Sequence, residues 1–268
     1  MSYIKEIYDI FKKSSGVYTD SRNPLKNGLF FALSGEKYNG NDYAAESLHK
    51  GAISAVVDNE ELASKSNKFI YVKNSLETLQ RLASFHRQKF KCPVLAITGS
   101  NGKTTTKELI KVVLEKKFKT IATEGNLNNL IGVPLTILNI RKDTEIGIIE
   151  MGANHIGEIK NLCKIAMPNW GYITNFGKAH LEGFKNLEGV IKGKSELYHY
   201  LIENKGDVLI NSNDKIQIDQ SKKCKKKSFG SINNSDFLFE PISTENQKIS
   251  IKSNNYIFSS SIYGKYNF

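Results

Sequence analysis

The clearest potential for chemistry lies in a glycine-rich run, GSNGKTT, at residues 99–105. An apolar run at residues 93–97 predicts a buried strand before it, and the apolar spacing of residues 108–114 predicts a helix after it. A strand that leads into a helix through such a run directs backbone N–H groups at phosphate oxygens. Lys103 would then reach the outer phosphates, and the Thr104 hydroxyl would bind Mg²⁺.

The run is a shorter variant of the common pattern G-x-x-x-x-G-K-[ST], whose first glycine would fall on Ile97. A glycine turn beside a surface lysine is the alternative interpretation. The strand before the run and the helix after it favour a phosphate-binding loop.

A carboxylate, Glu150, ends a second apolar run at residues 146–150. The carboxyl end of a strand beside a phosphate-binding loop is a suitable place for a carboxylate that holds Mg²⁺. Taken alone, a glutamate that caps a helix or forms a salt bridge is an equally good interpretation.

Three further segments carry polar side chains suited to binding. His180 lies in NFGKAHLEGF (residues 175–184), where a neutral imidazole can bind a metal, although a single histidine is more often structural. Lys194 lies in a helical stretch, and an amine is a poor Mg²⁺ ligand, so contact with phosphate or solvent is the simplest interpretation. Asn126, Asn128 and Asn129 would donate to phosphate or carboxylate oxygens, or form a loop of Asx turns.

The elements that position these residues alternate between short strands and helices. We expect the following elements: an amphipathic helix near the start, strands at 28–33, 53–57, 69–72, 93–97, 146–150 and 170–175, and helices at 42–50 and 75–90. This order predicts an α/β fold in two units, residues 1–90 and 91–268, the second with a mostly parallel sheet. From residue 207 the pattern is strand-rich, and residues 247–263 resemble a hairpin.

Composition is that of a globular protein with two ordinary domains. The chain has 268 residues, of which 40% are hydrophobic and 24% charged. No apolar run approaches the ~18 residues of a membrane span, and the start lacks the apolar core of a signal peptide. Three widely spaced cysteines fit no metal or redox motif, which indicates a cytoplasmic protein.

The net charge of +11 raises the question of nucleic-acid binding. The densest basic run, KKCKKK at residues 222–227, has no interleaved aromatic or arginine residues. A solvated lysine-rich loop or edge strand therefore explains it better than a nucleic-acid surface. The charge would also help to attract an anionic substrate.

Taken together, the motifs resemble those of ATP-dependent Mur ligases, in the order GSNGKTT, GNLNN-IGVP, IIEMGANHIGE, TNFGKAHLEGF and KGKSELY. GNLNNLIGVPLTIL and AHLEGF resemble the branch that adds D-alanyl-D-alanine. The front end, with TDSR at residues 19–22, resembles the UDP-binding domain of the family. One departure is Asn39-Gly40-Asn41, where many relatives read Asp-Gly-His.

The resemblance implies a role for each matching residue. Lys194 matches a lysine that the family carbamylates, which turns an amine into an anionic oxygen ligand. The ATP site would comprise Gly99, Ser100, Asn101, Gly102, Lys103, Thr104, Thr105 and Asn267. Two Mg²⁺ ions would be held by Thr104, Glu150, His180 and Lys194, and the catalytic residues would be Lys103, Lys194 and His180. The UDP-linked substrate would contact Ser21, Arg22, Asn126, Asn128 and Asn129.

The resemblance also implies the reaction. ATP would phosphorylate the terminal carboxylate of UDP-N-acetylmuramoyl-tripeptide, and the amine of D-Ala-D-Ala would attack the acyl phosphate. The family has a third, C-terminal domain that carries this amine, and we expect this domain to be absent from the chain. We therefore expect an incomplete central domain and a fragment that is inactive alone, in a monomer that binds no nucleic acid. The alternatives are the Mur ligase branch that adds the third residue, an enzyme similar to folylpolyglutamate synthase, and a non-catalytic nucleotide-binding remnant.

Overall fold

The fold is built on two β-sheets, each made of parallel strands. The computed structural model describes residues 2–36, 38–177, 181–242 and 248–263. A four-stranded sheet lies in the N-terminal part, and a seven-stranded sheet begins at the strand before the glycine-rich run. All strand pairs of both sheets are parallel. The expected α/β class is therefore confirmed.

The four-stranded sheet has the order β1-β2-β5-β6, and a small antiparallel pair, β3-β4, lies beside it. The strands are β1 (Val17–Tyr18), β2 (Leu29–Phe31), β3 (Ser34–Gly35), β4 (Tyr38–Asn39), β5 (Ser54–Val57) and β6 (Phe69–Tyr71). The helices are α1 (Ser2–Lys13), α2 (Ala44–His49), α3 (Glu60–Ser64) and α4 (Ser75–Arg87), with a 3₁₀ turn at Gly40–Tyr43. The helix that we expected at residues 42–50 thus begins as this turn.

The seven-stranded sheet has the order β13-β12-β11-β10-β7-β9-β8. Its strands are β7 (Val94–Thr98), β8 (Thr120–Ala122), β9 (Ile146–Glu150), β10 (Trp170–Ile173), β11 (Asp207–Asn211), β12 (Lys225–Gly230) and β13 (Phe237–Leu238). Its helices are α5 (Lys103–Leu114), α6 (Gly132–Leu138), α7 (Glu158–Ala166), α8 (Leu181–Phe184), α9 (Leu187–Glu203) and α10 (Lys215–Gln220). An antiparallel sheet of β14 (Glu240–Ile242), β15 (Lys248–Ser253) and β16 (Tyr256–Tyr263) follows, and it contains the expected hairpin.

The order of the second sheet places its topological switch beside β7. The chain runs from β7 to β8 and β9 on one side, then crosses to β10 on the other. Because the connections after β7 and after β9 run to opposite sides of β7, a crevice opens at the carboxyl ends of the strands, and this is where ligands bind in open α/β sheets. The glycine-rich run follows β7 and therefore lies in this crevice.

Helix α4 joins the two sheets. Its Leu79 and Leu82 are fully buried in a core that extends from α1 and β2 to α6 and α7. At its end, the buried Arg87 donates to the carbonyl oxygens of Ala166 and Cys92 at 2.9 and 3.0 Å. These contacts fix the N-terminal part against the second sheet, because a buried guanidinium must satisfy its donors.

The lysine run at residues 222–227 lies at the end of α10 and along β12. Strand β12 pairs with β13 only at Phe229 and Gly230, so Lys225–Lys227 have a strand on one side only. Lys225 and Lys227 form ion pairs with Asp207 and Asp236. The lysines of this run are exposed, as the solvated interpretation predicts, although the outermost strand on this side of the sheet is β13 and not β12.

Candidate functional site

The carboxyl ends of β7, β9 and β10 meet at one edge of the second sheet. In the strand registers, Ile97 lies beside Glu150, and Thr98 lies beside Ile173. The residues that follow each strand therefore share the crevice. They include the glycine-rich run after β7, Glu150 at the end of β9, and Thr174 after β10.

Gly99 makes the turn out of β7 and has no room for a side chain. Its φ is +145°, and an added Cβ would lie 1.9 Å from Thr174 Oγ1. Gly102 has a φ of +76° and directly precedes α5. Backbone N–H groups at the start of this 12-residue helix are free of intrahelical partners, so the loop is suited to an anion.

Residues after β10 hold the glycine-rich loop from the other side. Thr174 Oγ1 and Asn175 Nδ2 donate to the Asn101 carbonyl oxygen at 2.6 and 3.0 Å. Asn101 N donates back to Asn175 Oδ1 at 3.1 Å, and Ser100 Oγ donates to Gly177 O at 2.7 Å. These five residues form one hydrogen-bonded unit, which holds the loop in its shape.

Lys103 and Lys194 converge on this loop. Lys103 Nζ donates to Gly99 O at 2.8 Å and Ser100 O at 3.3 Å, while Lys194 Nζ donates to Gly99 O at 3.0 Å. Lys194 is only 1% exposed, and its amine also lies 5.7 Å from the ring centroid of Phe184. The solvent-facing interpretation of Lys194 is therefore wrong.

Burial and mutual repulsion change the protonation of both amines. Burial, and then the charge of Lys103, lower the pKa of Lys194 to about 8. Burial also lowers the pKa of Lys103, and the negative charge of Glu150 opposes this shift. An amine with a pKa near 8 is partly unprotonated at neutral pH, and only the unprotonated form is nucleophilic.

Glu150 is a buried carboxylate whose two oxygens differ in their hydrogen bonding to the described residues. It is 1% exposed, its Oε1 accepts from Asn128 Nδ2 at 2.7 Å, and its backbone N donates to Thr123 Oγ1 at 2.9 Å. Its Oε2 has no hydrogen-bond partner in the part of the chain that the structure describes. Glu150 is in none of the ion pairs between described residues, and it caps no described helix. A buried carboxylate oxygen without a partner fits a hard cation.

Thr104 lies exposed in the first turn of α5. Across residues 2–36, 38–177, 181–242 and 248–263, no three His, Cys, Asp or Glu side chains cluster as a metal site. Glu150 and the Thr104 hydroxyl are thus the described residues suited to Mg²⁺. The predicted ligands His180 and Asn267 lie outside the described residues.

The three asparagines line a cavity of about 450 Å³ beside Lys103. Asn126, Asn128 and Asn129 share it with Gly152 and Asn154, among others. Asn129 Oδ1 accepts from the backbone N of Ile131 and Gly132 at 3.0 and 2.9 Å. Asn129 therefore forms the Asx turn of the alternative interpretation while it also lines the cavity.

A second cavity, of about 440 Å³, lies in the N-terminal part. Ser21 and Arg22 line it with Tyr38 and Tyr43, whose rings are exposed. Asp20 holds the Arg22 guanidinium through bonds of 2.9 and 2.8 Å, and these bonds lower the pKa of Asp20 to about 2. A cavity lined by a guanidinium and two aromatic rings suits a phosphorylated heterocycle.

The departure at Asn41 has a structural role. Asn41 is 8% exposed, its Nδ2 donates to Asp58 Oδ1 at 2.7 Å, and its Oδ1 accepts from Asp58 N at 3.2 Å. Asp58 Oδ2 in turn accepts from the N of Ser75, the first residue of α4. Asn41 directly follows Gly40, which lines the N-terminal cavity, and thus connects this segment through Asp58 to the helix that joins the sheets.

Comparison with known proteins places this geometry in a family. The model of the Mur ligase middle domain matches residues 97–268. The chain belongs to the Mur ligase family. The stated resemblance is therefore confirmed.

Alignments with curated Mur ligases extend along most of the chain. It is 38% identical over 198 residues to the UDP-N-acetylmuramoyl-tripeptide–D-alanyl-D-alanine ligase of Rickettsia prowazekii, which covers 74% of this chain and 44% of that protein. It is 34% identical over 255 residues to the same ligase of Bacillus subtilis, with 94% and 55% covered. The chain thus spans about half the length of these relatives.

Solved Mur ligase structures share the fold. MurF from Acinetobacter baumannii matches with a TM-score of 0.85 at 26% identity, over 98% of this chain and 61% of that one. The MurF ligase of Thermotoga maritima, in complex with ADP, matches with a TM-score of 0.80 at 29% identity, over 96% of this chain and 59% of that one.

Within the described ranges, no helix combines the length and apolar character that crossing a bilayer requires.

Several residues of the site escaped the sequence analysis. Thr123 holds Glu150, Thr174 holds the glycine-rich loop, and each directly follows a strand, β8 and β10 respectively. Their position at the carboxyl ends of parallel strands was the one available signal. Phe184, whose ring centroid lies 5.7 Å from the Lys194 amine, is in the AHLEGF motif, but the sequence analysis gave it no role.

Proposed function

We propose that this chain supplies the nucleotide site and the UDP-substrate site of an ATP-dependent ligase that joins D-alanyl-D-alanine to UDP-N-acetylmuramoyl-tripeptide. The observation that carries the proposal is the convergence of Lys103, Lys194 and Glu150 on the glycine-rich loop at the switch of the sheet. The names of the relatives support the substrate pair. We further propose that the protein acts in the cytoplasm as a monomer and binds no nucleic acid.

The two parts of the chain would divide the work. Residues 1–90 would bind the UDP end of the substrate through Ser21 and Arg22, since Arg22 is held by Asp20 at the cavity edge. Residues 91–268 would bind ATP and the reacting carboxylate, the latter beside Asn126 and Asn129. The ADP in the Thermotoga maritima relative supports the nucleotide assignment.

ATP would bind through residues 99–105, where the loop N–H groups and the N-terminus of α5 meet its phosphates. Thr104 and Glu150 would hold one Mg²⁺, and His180 with Lys194 would serve a second, with Asn267 near the nucleotide. Bound Mg²⁺ would neutralise charge on the phosphates as it builds up.

The reaction would then proceed in two displacements. The tripeptide carboxylate attacks the γ-phosphorus of ATP and releases ADP, which leaves an acyl phosphate. The amine of D-Ala-D-Ala attacks the acyl carbon, and phosphate and a proton leave. The Lys103 ammonium, which lies at the loop, reduces the repulsion between the triphosphate and the carboxylate.

Lys194 would act as a carbamate. Its unprotonated amine adds to the carbon of CO₂ and releases a proton, and this gives an anionic oxygen ligand for a hard cation. The pKa of about 8 supports this step, because it raises the fraction of free amine at neutral pH. A charged ammonium at the same place would repel both Mg²⁺ and Lys103.

Isothermal calorimetry with Mg·ATP tests the nucleotide site. We expect Lys103→Ala to abolish binding, because the variant loses the cation of the loop. Lys111→Ala is the matched control, since Lys111 lies on the same helix and pairs with Glu115 at the surface. Equal affinity of the wild type and Lys103→Ala would overturn the proposal.

A further inference from the structure

Asn128 differs from the other two asparagines of its loop in what it contacts. Its Nδ2 donates to Glu150 Oε1 at 2.7 Å, and its carbonyl oxygen accepts from Gly152 N at 2.8 Å. Gly152 leaves room for this approach, because an added Cβ would lie 2.7 Å from Asn128 Oδ1. Asn128 is thus joined to the end of β9 by its side chain and its backbone.

The side-chain contact divides the two oxygens of Glu150. Oε1 is engaged by the Asn128 amide, whereas Oε2 is buried and has no partner among the described residues. Thr123 fixes the backbone of Glu150 but does not contact the carboxylate oxygens through its Oγ1, which accepts from Glu150 N. The Asn128 amide is therefore the described group that sets the rotation of the carboxylate.

We propose that Asn128 is a positioning residue for the metal-binding carboxylate of Glu150. This inference rests on the proposed function, which places Mg²⁺ at Glu150. A donor to one oxygen of a carboxylate ligand fixes the direction in which the other oxygen binds, and removal of such a donor typically weakens metal binding by about 10- to 100-fold. Because Asn128 also lines the cavity of about 450 Å³, the same loop joins that cavity to the cation site.

The test compares the affinity for ADP in EDTA with the affinity in saturating Mg²⁺, measured by calorimetry on the 268-residue chain. The Kd in EDTA divided by the Kd in Mg²⁺ reports the contribution of the metal to ADP binding, and this quotient is the ratio used below. We expect Asn128→Leu, which has nearly the same shape and no donor, to lower this ratio about 10-fold or more. The Kd in EDTA should stay unchanged, because Asn128 does not contact the glycine-rich loop.

Asn161→Leu is the matched control, since Asn161 is exposed on α7 and is not among the residues that line this cavity. Its ratio should equal that of the wild type. Thermal unfolding of each variant identifies loss of fold, and Asn128→Ser, which is smaller and polar, replaces Asn128→Leu if the latter unfolds.

A double-mutant cycle separates positioning from a general structural role. In a Glu150→Gln background, Asn128→Leu should cause no further loss in the ratio, because Asn128 acts through Glu150.

A ratio near one in the wild type would overturn the metal site of the proposed function and this inference together. A wild-type ratio well above one that Asn128→Leu retains, with weaker binding of UDP-N-acetylmuramoyl-tripeptide, would overturn the inference alone.

Discussion

Lys103 and Lys194 donate to the same atom, the carbonyl oxygen of Gly99, at 2.8 and 3.0 Å. Burial of Lys194 disfavours its charged form, and repulsion by the Lys103 ammonium on the same acceptor adds to this effect. The arrangement therefore favours loss of a proton from Lys194, whose pKa is about 8. Stability should depend on pH for this reason.

The sign of this dependence follows from linkage. The folded chain holds the Lys194 proton with a pKa of about 8 and the unfolded chain with one near 10.5, so the unfolded state binds more protons between these values. The buried charge of Lys194 lowers the free energy of unfolding by its full amount below pH 8. This destabilisation declines as the pH rises and is absent above about pH 10.5. The free energy of unfolding of Lys194→Met minus that of the wild type should therefore be larger at pH 7 than at pH 11, by on the order of 3 kcal/mol.

Urea unfolding in carbonate-free buffer at several pH values measures this difference. Lys192→Met is the control, because Lys192 lies exposed on the same helix. A stability difference between the wild type and Lys194→Met that stays constant from pH 7 to pH 11 would contradict the assignment.

Arg22 gives a prediction for the N-terminal cavity. Asp20 fixes its guanidinium at the edge of this cavity, so Arg22→Ala should weaken UDP binding about 10-fold, as expected for one hydrogen bond to a charged group. Amide resonances of Ser21 and Arg22 should also shift when UDP-N-acetylmuramoyl-tripeptide is added. Arg81→Ala, which removes an arginine that stacks on Tyr3, should leave affinity unchanged. Resonance shifts confined to residues 91–268 would show that the substrate binds elsewhere.

Much of the fold could be predicted because its strands are continuous apolar runs. Residues 146–150 form β9 with the predicted bounds, since a strand buried on both faces needs apolar residues throughout. The strand expected at residues 28–33 is shorter, because Leu33 N donates back to Phe31 O and turns the chain. A local turn of this kind leaves no mark in the apolar pattern.

The candidate site was predictable only in its local parts. GSNGKTT indicated the phosphate loop through its own spacing. The contacts that shape this loop come from Thr174 and Lys194, which are 73 and 95 residues away from their partners. The order of strands in the sheet brings these residues together, and no short pattern contains that order.

Asn41 should contribute to stability although the residue departs from the family pattern. Asn41→Ala removes both hydrogen bonds to Asp58, so the half-buried Asp58 N and Oδ1 lose these partners. We expect a loss of about 1–3 kcal/mol in the free energy of unfolding. Asp42→Ala, at the exposed neighbouring position, should change it by less than about 0.5 kcal/mol. Equal unfolding midpoints for the two variants in urea would show that the Asn41–Asp58 bonds add nothing.

Gly99 allows a test of the contact between β7 and β10. Gly99→Ala places a methyl group where Thr174 Oγ1 stands, at a φ of +145°, so it should prevent nucleotide binding and destabilise the chain by about 1–3 kcal/mol. Gly125→Ala is the control for an alanine at positive φ without a clash, because the φ of Gly125 is +51° and nothing lies near the added Cβ. Since the clash is with Oγ1, adding Thr174→Ala to Gly99→Ala should cost less than the sum of the two single changes, measured by urea unfolding. Additive losses would mean that the backbone at Gly99, and not its approach to Thr174, requires glycine.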